Sequence, residues 1–234
     1  MKAIFINFTS GREESAKLDT NLDDKARAEY LINEALEEGV DIILGIAMSQ
    51  KVIERIDSLI LPKGFRRALS PEYKTLSKGR KARYNQLAVS YVSPSIKSAQ
   101  MIRFDDTHIH DMRFRYNTLK LNNDFFLRSI HIPAAREDDP RYEFQLERRQ
   151  RFLSYEYGLQ TIPEDTIVVG DFNMSNPKSK YKKILKGKTY NGTIQLDHVM
   201  VSPGMETRVT ATLFDPNKIT GKITDHTPIL ITID

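Results

Sequence analysis

The sequence predicts an α/β layered fold built as one domain over residues 1–234, and three observations carry that expectation. The chain opens strand–helix–strand, one amphipathic segment between two short apolar runs. Further short runs rich in β-formers follow, bounded by turn residues. No linker long or polar enough to divide the 234 residues interrupts them, and no internal repeat appears.

The elements justify themselves in order. "KAIFINF" (2–8) reads as a first strand. Ala28, Leu31, Ile32, Ala35 and Leu36 share one face of a 3.6-residue period, so a helix is expected at about 23–38. Asp23 and Asp24 suit its first turn, and Gly39 its end. "VDIILGIA" (40–47) is a buried strand. The segment 62–85 lacks a clean period and holds two prolines and two glycines, so it reads as a long irregular excursion. "QLAVSYVS", "SAQMIRF", "RFRYNTLKL" and "DFFLRSIHI" look like consecutive antiparallel strands with short turns. A helix at about 142–157 precedes the strand "TIVVG"; "LDHVMVS", "ETRVTATLF" and "TPILITI" complete the set.

Composition narrows the classes. Lys and Arg outnumber Asp and Glu by 35 to 31, an excess too small to identify a partner without its distribution. There is no cysteine, which removes disulfides, thiolate metal sites and cysteine nucleophiles. The apolar run at the N-terminus is too short for a signal peptide or a membrane span. A cytoplasmic monomer without a membrane partner is the expectation.

Five short stretches could carry chemistry. In "TIVVGDFNMSNP" Gly170 allows a sharp turn, and Asp171 and Asn173 emerge together at the end of a buried strand. The carboxylate could orient or deprotonate a water and the amide could donate to a phosphate oxygen; equally, both could satisfy a local turn. Asp225 and His226 precede the last strand, as a cation ligand and a phosphoryl contact or as a surface turn. Asp197 interrupts an apolar run and needs a partner, which His226 could supply, or it caps local backbone. His131 lies in a strand ending at Pro133, where a satisfied edge histidine is the plainer alternative. "DDTHIHD" (105–111) could chelate a metal through Asp105, Asp106, His108, His110 and Asp111, but it also looks like a hairpin connection.

Taken in order, "HIP", "GDFN", "LDH" and "TDHTP" resemble the endonuclease/exonuclease/phosphatase superfamily, the deoxyribonuclease I-like and exonuclease III-like group. The resemblance runs from Asn7 to the C-terminus. It implies a four-layered α/β sandwich, two packed mainly antiparallel β-sheets flanked by helices. It further implies a phosphodiester hydrolase dependent on Mg²⁺ or Mn²⁺. By that resemblance Asn7 would position the metal and Asp225 would ligate it or sit beside it. Asp171 would activate water, and Asn173 would hold the phosphate. His226 would face the phosphate with Asp197 behind it, and His131 would stand near the phosphate.

One position departs from the pattern. The family ends its second strand with a glutamate that is the principal metal ligand, and here that position is Ala47. No residue from Gly45 to Lys51 is acidic, and Glu54 falls in the following helix. A hard dication held by one carboxylate and waters should bind weakly. Three explanations compete: a deliberate replacement that leaves an inactivated form, a natural member that binds without cutting, or a variant site that recruits another acid.

The basic residues cluster. Lys63, Arg66, Arg67, Lys74, Lys78, Arg80, Lys81 and Arg83 oppose only Glu72 in the 62–85 excursion, and 178–188 has six lysines, Lys180, Lys182 and Lys183 among them, with no acid. In the family such loops rim the active site. Tyr73, Tyr84 and Tyr181 lie among the cations and could stack on bases. A nuclease acting on DNA or RNA is therefore expected, with Arg66, Arg67, Lys78, Arg80, Lys81, Arg83, Lys180, Lys182 and Lys183 touching nucleic acid, against plain solvated charge. The rivals are a phosphatase or phosphodiesterase of a small nucleotide or an inositol or lipid phosphate, and a catalytically dead nucleic-acid-binding member.

Overall fold

Alternation along each strand builds this molecule, and the computed structural model shows where each row of side chains goes. It describes residues 1–8, 22–68, 87–101, 116–122, 124–132, 134–135, 137–138, 140–147, 149, 165–177, 179, 181–214 and 223–234. One six-stranded sheet has the order β11 (Val209–Leu213), β12 (Ile229–Ile233), β1 (Lys2–Asn7), β2 (Ile42–Met48), β4 (Leu87–Val92) and β3 (Arg66–Ala68). The other runs β5 (Ala99–Met101), β6 (Tyr116–Leu121), β7 (Phe125–His131), β8 (Thr166–Asp171), β10 (Asp197–Val201) and β9 (Lys182–Lys183). Among the described residues, only the β1–β2 and β7–β8 pairs are parallel. The expected pair of mainly antiparallel sheets is what forms.

The sheets pack face to face through Ala3 and Phe5, Ile42, Leu44 and Ile46, Leu119 and Leu121, Phe125 and Leu127, Ile167 and Val169, and Ile229 and Ile231. The opposite row of the first sheet, including Ile4, Ile6, Ile43 and Tyr91, packs under two helices, α1 (Asp24–Glu37) and α2 (Gln50–Ile60). Asp23 caps α1 by accepting from Ala26 N at 2.8 Å, and Gly39 takes the left-handed φ of 72° just past its end. Ala28, Leu31, Ile32 and Ala35 are its buried stripe, as the 3.6-residue period requires. On the outer face of the second sheet Ile130, Val168, Phe172 and Met200 cluster. Residues 142–147 of the expected later helix are helical; 150–164 lie outside the described residues.

Two expectations change. The four runs between 86 and 132 are not one consecutive meander: β4 closes on β2 in the first sheet, and β5, β6 and β7 begin the second. The excursion is also not wholly irregular at its start. After a short 3-10 turn it adds the edge strand β3, pairing Arg66 with Val92 and Ala68 with Ser90; residues 69–86 and the 105–111 stretch lie outside the described residues.

Gly170 is needed for a close approach rather than for a turn. A Cβ there would stand 2.1 Å from the carbonyl oxygen of Ile130 on the neighbouring parallel strand. Gly170→Ala should therefore lower stability by about 3 kcal/mol, the upper end for overpacking, because a backbone atom has to move. Urea unfolding measures it, and an unchanged midpoint would show the β7–β8 pair to be more pliant than its geometry.

Candidate active site

The inward-facing rows end in polar groups at one edge of the sandwich. Ala3 and Phe5 lead to Asn7; Phe125 and Leu127 lead to His131; Ile167 and Val169 lead to Asp171. The antiparallel β10 starts at that edge with Asp197, and β12 is preceded there by Asp225 and His226. All six groups are buried.

The geometry brings the sequence-expected residues together. His226 Nδ1 lies 2.6 Å from Asp197 Oδ2, a charge-assisted hydrogen bond. Asp171 Oδ2 accepts from Asn7 Nδ2 at 3.2 Å and faces His131 Nε2 at 3.7 Å and His226 Nε2 at 3.8 Å. The last two separations are too long for hydrogen bonds and leave both imidazoles facing one carboxylate. Burial pushes the His226 imidazole down, but Asp197 and Asp171 outweigh it and raise the group from 6.5 to about 9. His226 is thus an imidazolium at neutral pH, with Nδ1–H committed to Asp197.

Asp171 and Asn173 serve the turn as well as the site. Asn173 N donates to Asp171 Oδ1 at 2.7 Å, and Asn173 Nδ2 donates to the Ile132 carbonyl at 2.7 Å. Asn173 adopts a φ of 50°, a left-handed conformation that asparagine tolerates. Its amide is therefore spent partly on backbone, which narrows the phosphate-holding role expected of it.

Position 47 is built unlike its neighbours. β2 pairs Gly45 with Val89 and Met48 with Leu87, so two residues of β2 oppose one of β4: a β-bulge. Ala47 sits in that bulge with φ 52° and 6% exposure, beside the Asn7–Ile46 pair of β1 and β2. The bulge turns Met48 toward the helices, whereas Ile46 faces the sheet interface. Ser49 then caps α2 by accepting from Val52 N.

A divalent cation fits these residues poorly. Ligand atoms of Asp171, Asp197 and His226 lie within 4.8 Å of one another. However, the hydrogen bond to His226 occupies Asp197 Oδ2, and the protonated His226 has no free ring lone pair to offer a cation. Asp225 and the Asn7 side chain stand at the same edge, but the end of β2 supplies a methyl where a hard cation needs a carboxylate.

The basic residues divide. Arg67 pairs with Asp57, and Arg66 donates to the Ile96 carbonyl at 2.7 Å, so both are tied into the fold at the β3 edge. Lys182 and Lys183 are exposed on β9; they reach Glu206 at 2.9 Å and Asn176 at 2.5 Å. Lys78, Arg80, Lys81, Arg83 and Lys180 lie outside the described residues, as do Tyr73 and Tyr84. Tyr181 is not a stacking platform: it is buried with Ile130, Phe172 and Met200.

Sequence reasoning missed Thr224 and Thr189. Thr224 Oγ1 donates to the Asn7 carbonyl at 2.9 Å and accepts from His226 N at 3.2 Å, linking the first strand to the last loop. Thr189 supports Asp197 from an unmarked position; the nearby Asn191–Gly192 pair, a strong hairpin signal, was the only clue.

Two packed sheets thus carry a carboxylate-oriented imidazolium and a facing Asp–Asn turn at one shared edge. The chain belongs to the endonuclease/exonuclease/phosphatase family, whose pattern matches residues 11–226. No curated protein matches the sequence. Among solved structures, the 3'-5' exonuclease NExo from Neisseria meningitidis is similar with a TM-score of 0.65 at 13% identity, covering 100% of each chain. D. rerio TDP2 in complex with single-strand DNA product is similar at 0.62 and 12% identity, covering 100% of this chain and 98% of that one. An AP endonuclease from Archaeoglobus fulgidus is similar at 0.62 and 14% identity, over 100% and 99%. Among the described residues, no helix is long and apolar enough to cross a membrane.

Proposed function

We propose that this chain binds a phosphodiester of DNA or RNA at the edge of the sandwich where the inward rows end in polar groups, and that its metal-supported hydrolysis is held back by Ala47. One observation carries the reading: a complete His226–Asp197 pair faces Asp171, while the bulge that ends β2 presents a methyl. There the His226 imidazolium neutralises charge on a phosphoryl oxygen, with Asp197 fixing its orientation. Asp171, held by Asn7, accepts the proton of a water. A water about 2.8 Å from each, accepting from His226 Nε2–H and donating to Asp171 Oδ2, would satisfy both groups across their 3.8 Å separation. Mg²⁺ or Mn²⁺, when a carboxylate at position 47 helps to hold it, would supply Lewis-acid charge neutralisation.

A polyanionic substrate is supported by the exposed Lys186 and Lys188, which precede the segment beside His226, and by the single-strand DNA in the D. rerio TDP2 complex; Lys182 and Lys183 pair with Val201 and Met200, at the end of β10 away from Asp197. The Ala47 methyl also favours a second reading, a member that binds nucleic acid without cutting it. Anisotropy of a labelled oligonucleotide separates both from a small-phosphoester enzyme. Affinity should drop about 10-fold or more between 50 and 200 mM salt; a salt-independent affinity would sink the nucleic-acid assignment.

A further inference from the structure

Between Lys188 and the start of β10 the chain makes a tight hairpin. Its turn residues Asn191 and Gly192 have φ of 47° and 64°, and Thr193 N donates to Tyr190 O at 2.9 Å. Such a mirror-image turn fixes the register of what it joins. The residues ahead of the turn reach both members of the His226–Asp197 pair. Thr189 is fully buried. Its Oγ1 accepts from Leu196 N at 3.0 Å and Asp197 N at 2.9 Å. Its carbonyl accepts from Thr227 N at 2.7 Å, and Asn191 N donates to the Asp225 carbonyl at 2.8 Å. Tyr190 bridges to His226, and its ring lies 4.9 Å from the imidazole, tilted by 57°.

Asp197 belongs to one sheet and His226 leads into the other. Their 2.6 Å hydrogen bond therefore spans the sandwich, and a few tenths of an ångström between sheets would weaken it. Apolar packing is non-directional and does not set a distance that finely. The hairpin does, because it is hydrogen-bonded to Asp197 on one side and to Asp225 and Thr227 on the other.

We propose that Thr189 and Tyr190 are positioning residues: together they brace the His226–Asp197 pair across the two sheets. Thr189 sets the height of Asp197 through its hydroxyl, and the Tyr190 ring limits the rotation of the imidazole. The proposal rests on the reading that this pair faces the substrate phosphate.

The test compares Thr189→Val with Thr189→Ser. Valine keeps the branched shape but replaces the acceptor by a methyl, which takes the shared acceptor from the half-buried Leu196 N–H and the buried Asp197 N–H; serine keeps the acceptor. In proton NMR the His226 Nδ1 proton should stand at low field in the parent protein. It should vanish or move upfield in Thr189→Val and return in Thr189→Ser. In an Ala47→Glu background, Thr189→Val should lower kcat by about 10- to 100-fold with KM nearly unchanged, and Thr189→Ser should recover it. A folded Thr189→Val that keeps the resonance and kcat overturns the brace. If that variant does not fold, Tyr190→Leu, at a half-buried position, makes the same comparison, and an unchanged resonance again overturns it. The resonance is read without turnover, so absent hydrolysis counts only against the proposed function.

Discussion

Ala47→Glu should convert this chain into a Mg²⁺-dependent hydrolase of DNA or RNA, with a rate at least about 10²-fold above the parent, since one well-placed charge-stabilising group is worth that much. The backbone permits the test. Ala47 already holds a φ of 52° that disfavours every residue with a Cβ by about 1 kcal/mol, so glutamate adds no new backbone strain. Burial at 6% exposure makes the introduced carboxylate costly until a cation meets it. The variant should therefore melt below the parent in chelator and rise on adding Mg²⁺, while the parent responds little. Ala47→Gly is the control: it relieves the strained φ, raises stability by about 1 kcal/mol and brings no hydrolysis. Ala47→Glu that shows neither a Mg²⁺-dependent melting shift nor hydrolysis of DNA, RNA or nucleotides would remove the basis for treating position 47 as the metal-ligand position.

Asp197→Ala should cost about 3–5 kcal/mol near pH 6, because it strands a buried imidazolium. The pH dependence gives a second readout of the same pair. Burial lowers the His226 group, but Asp197 and then Asp171 raise it from 6.5 to about 9 in the folded protein. A group whose folded value is raised binds its proton more tightly when folded. Its contribution, on the order of 3 kcal/mol, is complete below pH 6.5 and is lost as the pH climbs to about 9. Denaturant midpoints from pH 6 to 9.5 should fall for the parent. Most of that fall should disappear in Asp197→Asn, with the remainder reflecting Asp171 and Asp225. A parent midpoint flat over this range would mean that His226 is neutral in the folded state.

Much of this site was legible because it continues the core pattern. Asn7, His131 and Asp171 each end an apolar row that faces the other sheet; periodicity gives the face, the family resemblance gave Asn7 and His131 their roles, and the pairing directions bring the three to one edge. The Asp197–His226 contact was legible as a chemical need, a buried carboxylate wanting a cation. Other features had no local signal. The switch of the chain from β4 in one sheet to β5 in the other depends on which edges remain free, which no run of residues encodes. The bulge at Ala47 comes from two residues of β2 facing one of β4, a property of the pair and not of either strand. Arg67 looked available for nucleic acid because its partner, Asp57, lies ten residues earlier on a different element. Thr189 is one threonine among many until its two N–H partners are seen.

The first and last strands of the chain lie side by side, with Lys2 paired to Thr232 and Ala3 to Ile231. Closing a loop between residues this distant costs conformational entropy before any native contact repays it, so this pairing is expected to form after the local ones. Asp225 and His226 arrive with that final strand. A partly folded state without that pairing therefore lacks the reactive geometry, a safeguard against premature chemistry that follows from strand order.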